Sequence, residues 1–168
     1  MSAASQNGGQ RPPLSRTRGT VLAVCLCPER GVQKPSVAEI ELVENHGVRG
    51  DGHAGDWHRQ VSLLADESAD IMRAKGLAIG PGDFGENILT SGIEVKRLPV
   101  GAHMRVGARV LLEVTQIGKL CHAPCAIGRA AGECIMPTDG IFCRVLQGGI
   151  ARPGDEIHVV PNGDPGAQ

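Results

Sequence analysis

The chain has 168 residues, with 17 basic and 18 acidic side chains and a net charge of −1. One domain is therefore expected, and nothing resembles the basic footprint of a nucleic-acid binder. Its 24 glycines and 11 prolines argue against a long-helix bundle, because both residues weaken helix interiors. Its only aromatics, Trp57, Phe84 and Phe142, are too few for a base-stacking module.

Residues 1–18 are Ser, Gly, Gln, Pro and Arg with almost no apolar content, and they read as a disordered tail. The segment carries no apolar core resembling a signal peptide, and no run approaches the ~20 apolar residues of a membrane span. The expectation is a cytoplasmic protein without membrane or nucleic-acid partners. In that compartment the six cysteines are read as thiols rather than disulfides.

The apolar run from Gly19 to Cys27 predicts a buried strand, with Cys25 and Cys27 read as packing residues. Val37, Ile40, Leu42 and Val43 form a second strand-like run. Residues 45–60 form a long polar loop, and Gln60–Leu64 a short strand. Asp66–Lys75 is the clearest helix, with Asp66 as its cap, Ile71 and Met72 facing inward, and Gly76 as its stop. Gly80–Gly85 is a turn. Asn87–Thr90, Arg97–Val100 and His103–Val106 are expected as short strands, and Ala108–Gln116 as the strongest strand. A short helix is expected within 121–132. Ile141–Leu146 and Glu156–Val160 close the pattern before a flexible C-terminus at 161–168. Short strands at close spacing with one clear helix fit a mainly β fold, a β-barrel with a few short helices.

Three constellations could carry chemistry. The first runs from Gly50 to Gln60 and packs Asp51, His53, Asp56, Trp57, His58 and Arg59 onto a glycine-rich loop. Glycines let such a loop approach a ligand and turn N–H groups toward an anion, and Arg59 can fork onto a phosphate or carboxylate. The plainer reading is a solvated loop whose polar groups satisfy turns. The second is Cys121-His122-Ala123-Pro124-Cys125, followed by Cys134 and Cys143. With Lys119 and His122 flanking it, and a helix N-terminus expected nearby, the Cys121 thiol is suited to forming thiolate. A thiolate ligates a soft metal or carries sulfur. Here too there are plainer roles: small buried hydrophobes, a zinc site built from Cys121, Cys125 and Cys134, with His122 as an optional further ligand, or a redox disulfide from Cys121 to Cys125 or Cys134. The third is Pro81-Gly-Asp-Phe-Gly-Glu-Asn87. There Asp83, Glu86 and Asn87 either orient a ligand or fix a turn around Phe84. A Walker loop, a Rossmann fingerprint and a nucleophile elbow are all missing.

Taken in order, Gly50-Asp-Gly-His-Ala-Gly55, His58-Arg-Gln-Val-Ser-Leu-Leu64, Pro81–Asn87, Glu113-Val-Thr-Gln116 and Cys121 resemble the MOSC domain, the C-terminal domain of molybdenum cofactor sulfurases. The likeness spans about residues 19–160. The stretches Gly118–Cys125, Gly132–Pro137 and Gly140-Ile-Phe142 look like the small stand-alone branch of that family. The resemblance implies a largely β barrel-like domain and places the signature cysteine at Cys121. In family members this cysteine is either a ligand to molybdenum or a proposed carrier of sulfur. Many members have a proline-rich approach to it, where this chain has Ile117-Gly-Lys-Leu120.

The expected function is therefore binding of the molybdenum cofactor (molybdopterin), sulfur transfer for metal–sulfur cofactor maturation, or both, through Cys121 as metal ligand or sulfur carrier. Lys119 and His122 assist the thiol. Asp51, His53, His58, Arg59, Gln60, Asp83, Glu86 and Asn87 are the candidate cofactor-binding residues. Cys125 or Cys134 could resolve a persulfide. A cysteine desulfurase or a redox protein is the implied partner. Pyridoxal phosphate is not expected, since the sulfurase domain that uses it has no counterpart here. The alternative is a non-catalytic module, either zinc-stabilised or a cofactor chaperone.

Overall fold

The computed structural model describes residues 12–121 and 125–163. In chain order its strands are β1 (Arg18–Cys25), β2 (Ser36–Val37), β3 (Ile40–Val43), β4 (Gly47–Val48), β5 (Val61–Ala65), β6 (Ile88–Ser91), β7 (His103–Val106), β8 (Val110–Ile117), β9 (Ile141–Gln147), β10 (Gly149–Ala151) and β11 (Glu156–Val160). Three short helices, α1 (Asp66–Arg73), α2 (Ala126–Ala131) and α3 (Met136–Asp139), and a 3-10 turn at Val95–Arg97 complete it.

Seven strands close a barrel in the order β11-β7-β8-β9-β5-β6-β1, with β1 pairing back onto β11. Only the β5–β6 pair is parallel; α1 and the turn-rich segment around Gly80–Gly85 form its crossover. The short strand β2 extends the sheet from β1, and β10, β3 and β4 make a separate three-stranded sheet. Closure removes the exposed sheet edges that would template aggregation.

Strand alternation explains the two apolar clusters. Val61 and Leu63 of β5 point into the barrel beside Val21, Met104, Leu112, Val145 and Ile157. Leu64, the next residue, points the other way, into a second cluster with Cys25, Met72, Ile127, Met136 and Phe142. All five residues of β5 are therefore buried, because the helical insertions cover the outer face of the strand. Aliphatic side chains fill the barrel, which explains how a chain with three aromatics builds a core.

The mainly β barrel with few helices agrees with the sequence reading, and differences are local. Arg97–Val100 is not a strand. The chain makes the 3-10 turn and then bends, burying Leu98, and Pro99 has no N–H to give a ladder. Helix α1 starts from Ala65, which makes no side-chain cap bond. Asp66 instead sits in the first turn and pairs with Arg73 at 2.7 Å. Met72 is fully buried while Ile71 is 46% exposed: the buried face is Ser68, Ala69 and Met72, one turn apart, and Ile71 falls about 100° away from Met72 on the helix. The elements β4, β10 and α3 are too short to carry a periodic signal.

Most of the expected N-terminal tail lies outside the described residues. Within 12–18 the chain is held: Leu14 packs on the barrel core, Ser15 bonds Glu94 through N–H and Oγ, and Val159 N–H donates to Thr17 O. At the other end, Asn162 Nδ2 donates to Gly101 O.

Candidate functional site

A cleft of about 590 Å³ gathers four separate segments. The loop Gly31–Gln33 forms one wall, His53 and Arg59 a second, and Asp83–Gly85 a third. The fourth is built from Lys119–Cys121 with Cys125 and α2. Ile127, Met136 and Phe142 supply apolar lining. A mouth of about 310 Å³ shares His53, Arg59, Lys119 and Phe142 with it and adds Arg30 and Trp57. No carboxylate lines this mouth. The volumes are in the range typical of small-molecule and cofactor sites.

Arg59 is held by aromatic faces. Its guanidinium carbon lies 4.6 Å from the Trp57 ring centroid and 5.6 Å from that of Phe142. Arg30 lies 5.4 Å from the same indole. Each such contact stabilises by about 0.5–2 kcal/mol, and Arg30 also donates its Nε to Gly52 O at 2.6 Å. The Arg59 Nε is buried without a hydrogen-bond partner among the described residues. A buried guanidinium N–H without a partner is costly, and an anion in the cleft would supply one.

Cys121 is exposed and sits at the end of an arm that leaves β8. The arm turns at Gly118, whose φ is +74°, and a Cβ there would fall on the Pro137 carbonyl oxygen. Gly118 N–H donates to Gly140 O at 2.7 Å, and Gln116 Nε2 donates to Gly118 O at 2.8 Å. His58 bonds the other side of that amide, 2.8 Å from Gln116 Oε1. His58 thus braces the cysteine arm and does not line the cleft. Helix α2 begins at Ala126, with Cys125 as its N-cap residue. His122 lies outside the described residues.

The structure divides the predicted residues into liners and struts. His53, Arg59, Asp83, Lys119 and Cys121 line the cleft, with Cys125 and Cys134 beside them. Asp51, Gln60, Glu86 and Asn87 are buried behind its walls. Gln60 ties Val145 N–H to its Oε1 and donates to Asn45. Asn87 bonds Ser62, Cys25 O and Asp51. Glu86 accepts from Gly82 N–H and Phe84 N–H, shaping the turn that carries Asp83. Burial pushes the Glu86 carboxyl above its ordinary range despite those bonds.

Asp51 forms the strongest knot. It accepts from Lys34 Nζ at 2.9 Å, Cys27 N–H at 3.1 Å, His53 N–H at 3.0 Å and Asn87 Nδ2 at 3.1 Å. Burial opposes its charge, yet the donors around it hold its carboxyl well below the usual carboxylate range. Burial pushes the thiols of Cys25, Cys134 and Cys143 up.

Sequence reasoning missed Lys34, Arg30, Phe142 and the Gly31–Gln33 wall. Pro28–Pro35 carries no motif, and Lys34 looks like an ordinary loop lysine until the fold buries it to 2% exposure. Among the described residues no group of three or more His, Cys, Asp or Glu side chains is arranged to hold a metal ion, and no helix is long and apolar enough to cross a membrane. Cys121, Cys125 and Cys134 share a cleft without forming such a cluster.

Solved structures of similar fold include the YuaD protein from Bacillus subtilis, with a TM-score of 0.73 and 18% identity over 88% of this chain and 98% of that one. YiiM from Escherichia coli aligns with a TM-score of 0.60 and 21% identity, covering 86% and 70%. YiiM from Geobacillus stearothermophilus aligns with a TM-score of 0.57 and 20% identity, covering 91% and 78%. A search of curated proteins gives no match. A family model described as the MOSC domain matches residues 50–158, a span that runs from the glycine loop under His53 and Arg59, through the Cys121 arm, to the closing strand of the barrel. The chain belongs to the MOSC domain family.

Proposed function

We propose that the cleft binds the molybdenum cofactor, with the Cys121 thiolate as the protein ligand to the metal. The observation that carries this reading is that Cys121 and Arg59, far apart in sequence, line one cleft whose mouth holds Arg30, His53, Arg59 and Lys119 and no carboxylate. The residues fit an anionic, phosphate-bearing dithiolene: a soft thiolate for the metal, and an acid-free mouth with an unsatisfied Arg59 N–H for the phosphate. When bound, the cofactor supplies redox chemistry at the metal. Arg59 and Lys119 neutralise the phosphate, His53 donates a hydrogen bond to it, the apolar lining excludes water, and Asp83 orients its loop. The struts Asp51, Gln60, Glu86 and Asn87 keep these groups in place without touching the ligand.

The exposure of Cys121, next to the 85% exposed Leu120, favours a second use of the same thiol as a sulfur carrier. The Cys121 thiolate attacks the terminal sulfur of a desulfurase persulfide, the desulfurase leaves as thiolate, and Cys121 keeps the sulfur as persulfide. A cysteine desulfurase, or a redox protein in the metal-bound state, is the corresponding partner. Among the described residues the zinc alternative has no three-ligand cluster behind it.

The test is native mass spectrometry and metal analysis of protein from cells grown with molybdate. Bound pterin and molybdenum are expected in the wild type, lost in Cys121→Ser and reduced in Arg59→Ala. Wild-type protein without pterin or molybdenum overturns the binding reading. Failure of Cys121 to take label from a desulfurase carrying radioactive sulfur overturns the carrier reading.

A further inference from the structure

We propose that the buried Lys34 is a positioning residue that locks His53 in its Nε2–H tautomer, so that the mouth of the cleft offers only hydrogen-bond donors and selects an acceptor-only oxyanion such as a phosphate. This rests on the reading of the cleft as a ligand site and specifies what its mouth accepts.

The geometry around His53 leaves its ring little choice. Lys34 Nζ lies 3.3 Å from His53 Nδ1. An ammonium has three donors and no lone pair, so in the neutral imidazole Nδ1 is the acceptor and the ring proton sits on Nε2. The competing arrangement would place the proton on Nδ1 and aim it at Asp51 Oδ1. That oxygen is 3.6 Å away, beyond a hydrogen bond, and already accepts from Lys34 at 2.9 Å and from His53 N–H at 3.0 Å. The His53 backbone is held as well, because Trp57 Nε1 donates to His53 O at 2.7 Å. Nδ1 is turned toward the Lys34–Asp51 pair, whose side chains are 1% and 0% exposed, and His53 lines the cleft and its mouth, which leaves Nε2 as the ring nitrogen available to a ligand.

The other polar side chains of the mouth are Arg30, Arg59 and Lys119, which donate and never accept. Trp57 has already spent its single N–H on His53 O. Locking the proton on Nε2 therefore removes the one acceptor that the mouth could otherwise present. A phosphate or another oxyanion meets the side-chain donors of the mouth, whereas a ligand group that itself donates finds no side-chain acceptor there. A buried lysine that touches no ligand thus sets the polarity of the site.

Long-range 1H–15N NMR of the cofactor-free protein at about pH 8, where an unperturbed imidazole is neutral, reads the tautomer directly, with His53→Asn assigning the signal. Protonation at Nε2 alone is expected; protonation at Nδ1 overturns the proposal. The second arm titrates inorganic pyrophosphate into wild type and into the double variant Lys34→Met/Asp51→Asn, which conserves net charge and removes both members of the buried pair. In that variant the two ring nitrogens should share the proton, and pyrophosphate should bind about twofold more weakly, because about half of the molecules then present a lone pair at Nε2. Unchanged affinity alongside a mixed tautomer overturns the selection role. Should the variant not fold, the wild-type tautomer still decides. Neither arm needs bound molybdenum, so a failed cofactor reading and a failed tautomer are told apart.

Discussion

Replacing Asp51 with asparagine tests the knot behind the cleft wall. The Asp51 side chain is fully buried and pairs with a Lys34 side chain that is 1% exposed. Four donors converge on its two oxygens. A carboxamide keeps one oxygen and turns an NH2 toward two of those donors, and it removes the charge that balances Lys34. Breaking one member of a buried pair costs about 3–5 kcal/mol, a large part of the roughly 5–15 kcal/mol that holds a domain folded. At about 2–4 °C per kcal/mol for a chain of this size, Asp51→Asn should lower Tm by about 6–20 °C in thermal unfolding followed by circular dichroism. Lys34→Met/Asp51→Asn should recover most of that loss, because no uncompensated charge stays buried. The pH dependence carries a sign. The folded-state pKa of Asp51 lies below its unfolded value, so its contribution is present above about pH 4 and is lost as pH falls toward the folded value. The asparagine variant should lack that acid-sensitive portion. A single variant within about 1 kcal/mol of wild type, or a double variant no more stable than the single, would refute the reasoning.

Other outcomes follow from the same geometry. Arg59→Ala should leave the barrel folded, since the side chain packs on the Trp57 and Phe142 faces rather than in the core, while weakening pyrophosphate binding by about tenfold or more in calorimetry. Native alkylation followed by peptide mass spectrometry should label the exposed Cys121 and Cys125 and spare Cys25 and Cys143, which are buried with raised pKa. Gly82→Ala should destabilise by at least about 1 kcal/mol in urea unfolding, because Gly82 has φ +80° and a Cβ there would fall on the Lys34 carbonyl oxygen. Glu86 has the opposite linkage to Asp51. Burial raises its folded-state pKa, so its contribution is full below about pH 4 and is lost as pH rises through the folded value; Glu86→Gln should flatten that part of the stability profile.

Much of the barrel is legible in the chain. His103–Val106 and Glu156–Val160 match β7 and β11 as read, because period-2 patterning with branched side chains is a local signal. Arg97–Val100 misleads because a 3-10 turn and a strand both bury an isolated Leu98. Helix α1 reveals its position but not its face: Ile71 and Met72 are equally apolar, and only packing on β5 and β6 buries the second.

The site divides along the same line. Glycine loops, an arginine near a tryptophan and a cysteine after a long strand are written in the sequence, and among the residues they point to, Arg59, His53, Asp83, Lys119 and Cys121 line the cleft. The sequence by itself thus determines the strand-rich barrel and the stock of reactive groups, since both rest on residue type and short-range spacing. Tertiary structure alone decides which polar residues face the cleft and which hold the wall. Asp51 and His53 are two residues apart, yet one is buried against Lys34 and the other lines the cleft. That division depends on burial and on partners brought from 17 residues away in Lys34 and 36 in Asn87, and no local pattern encodes such long-range contacts.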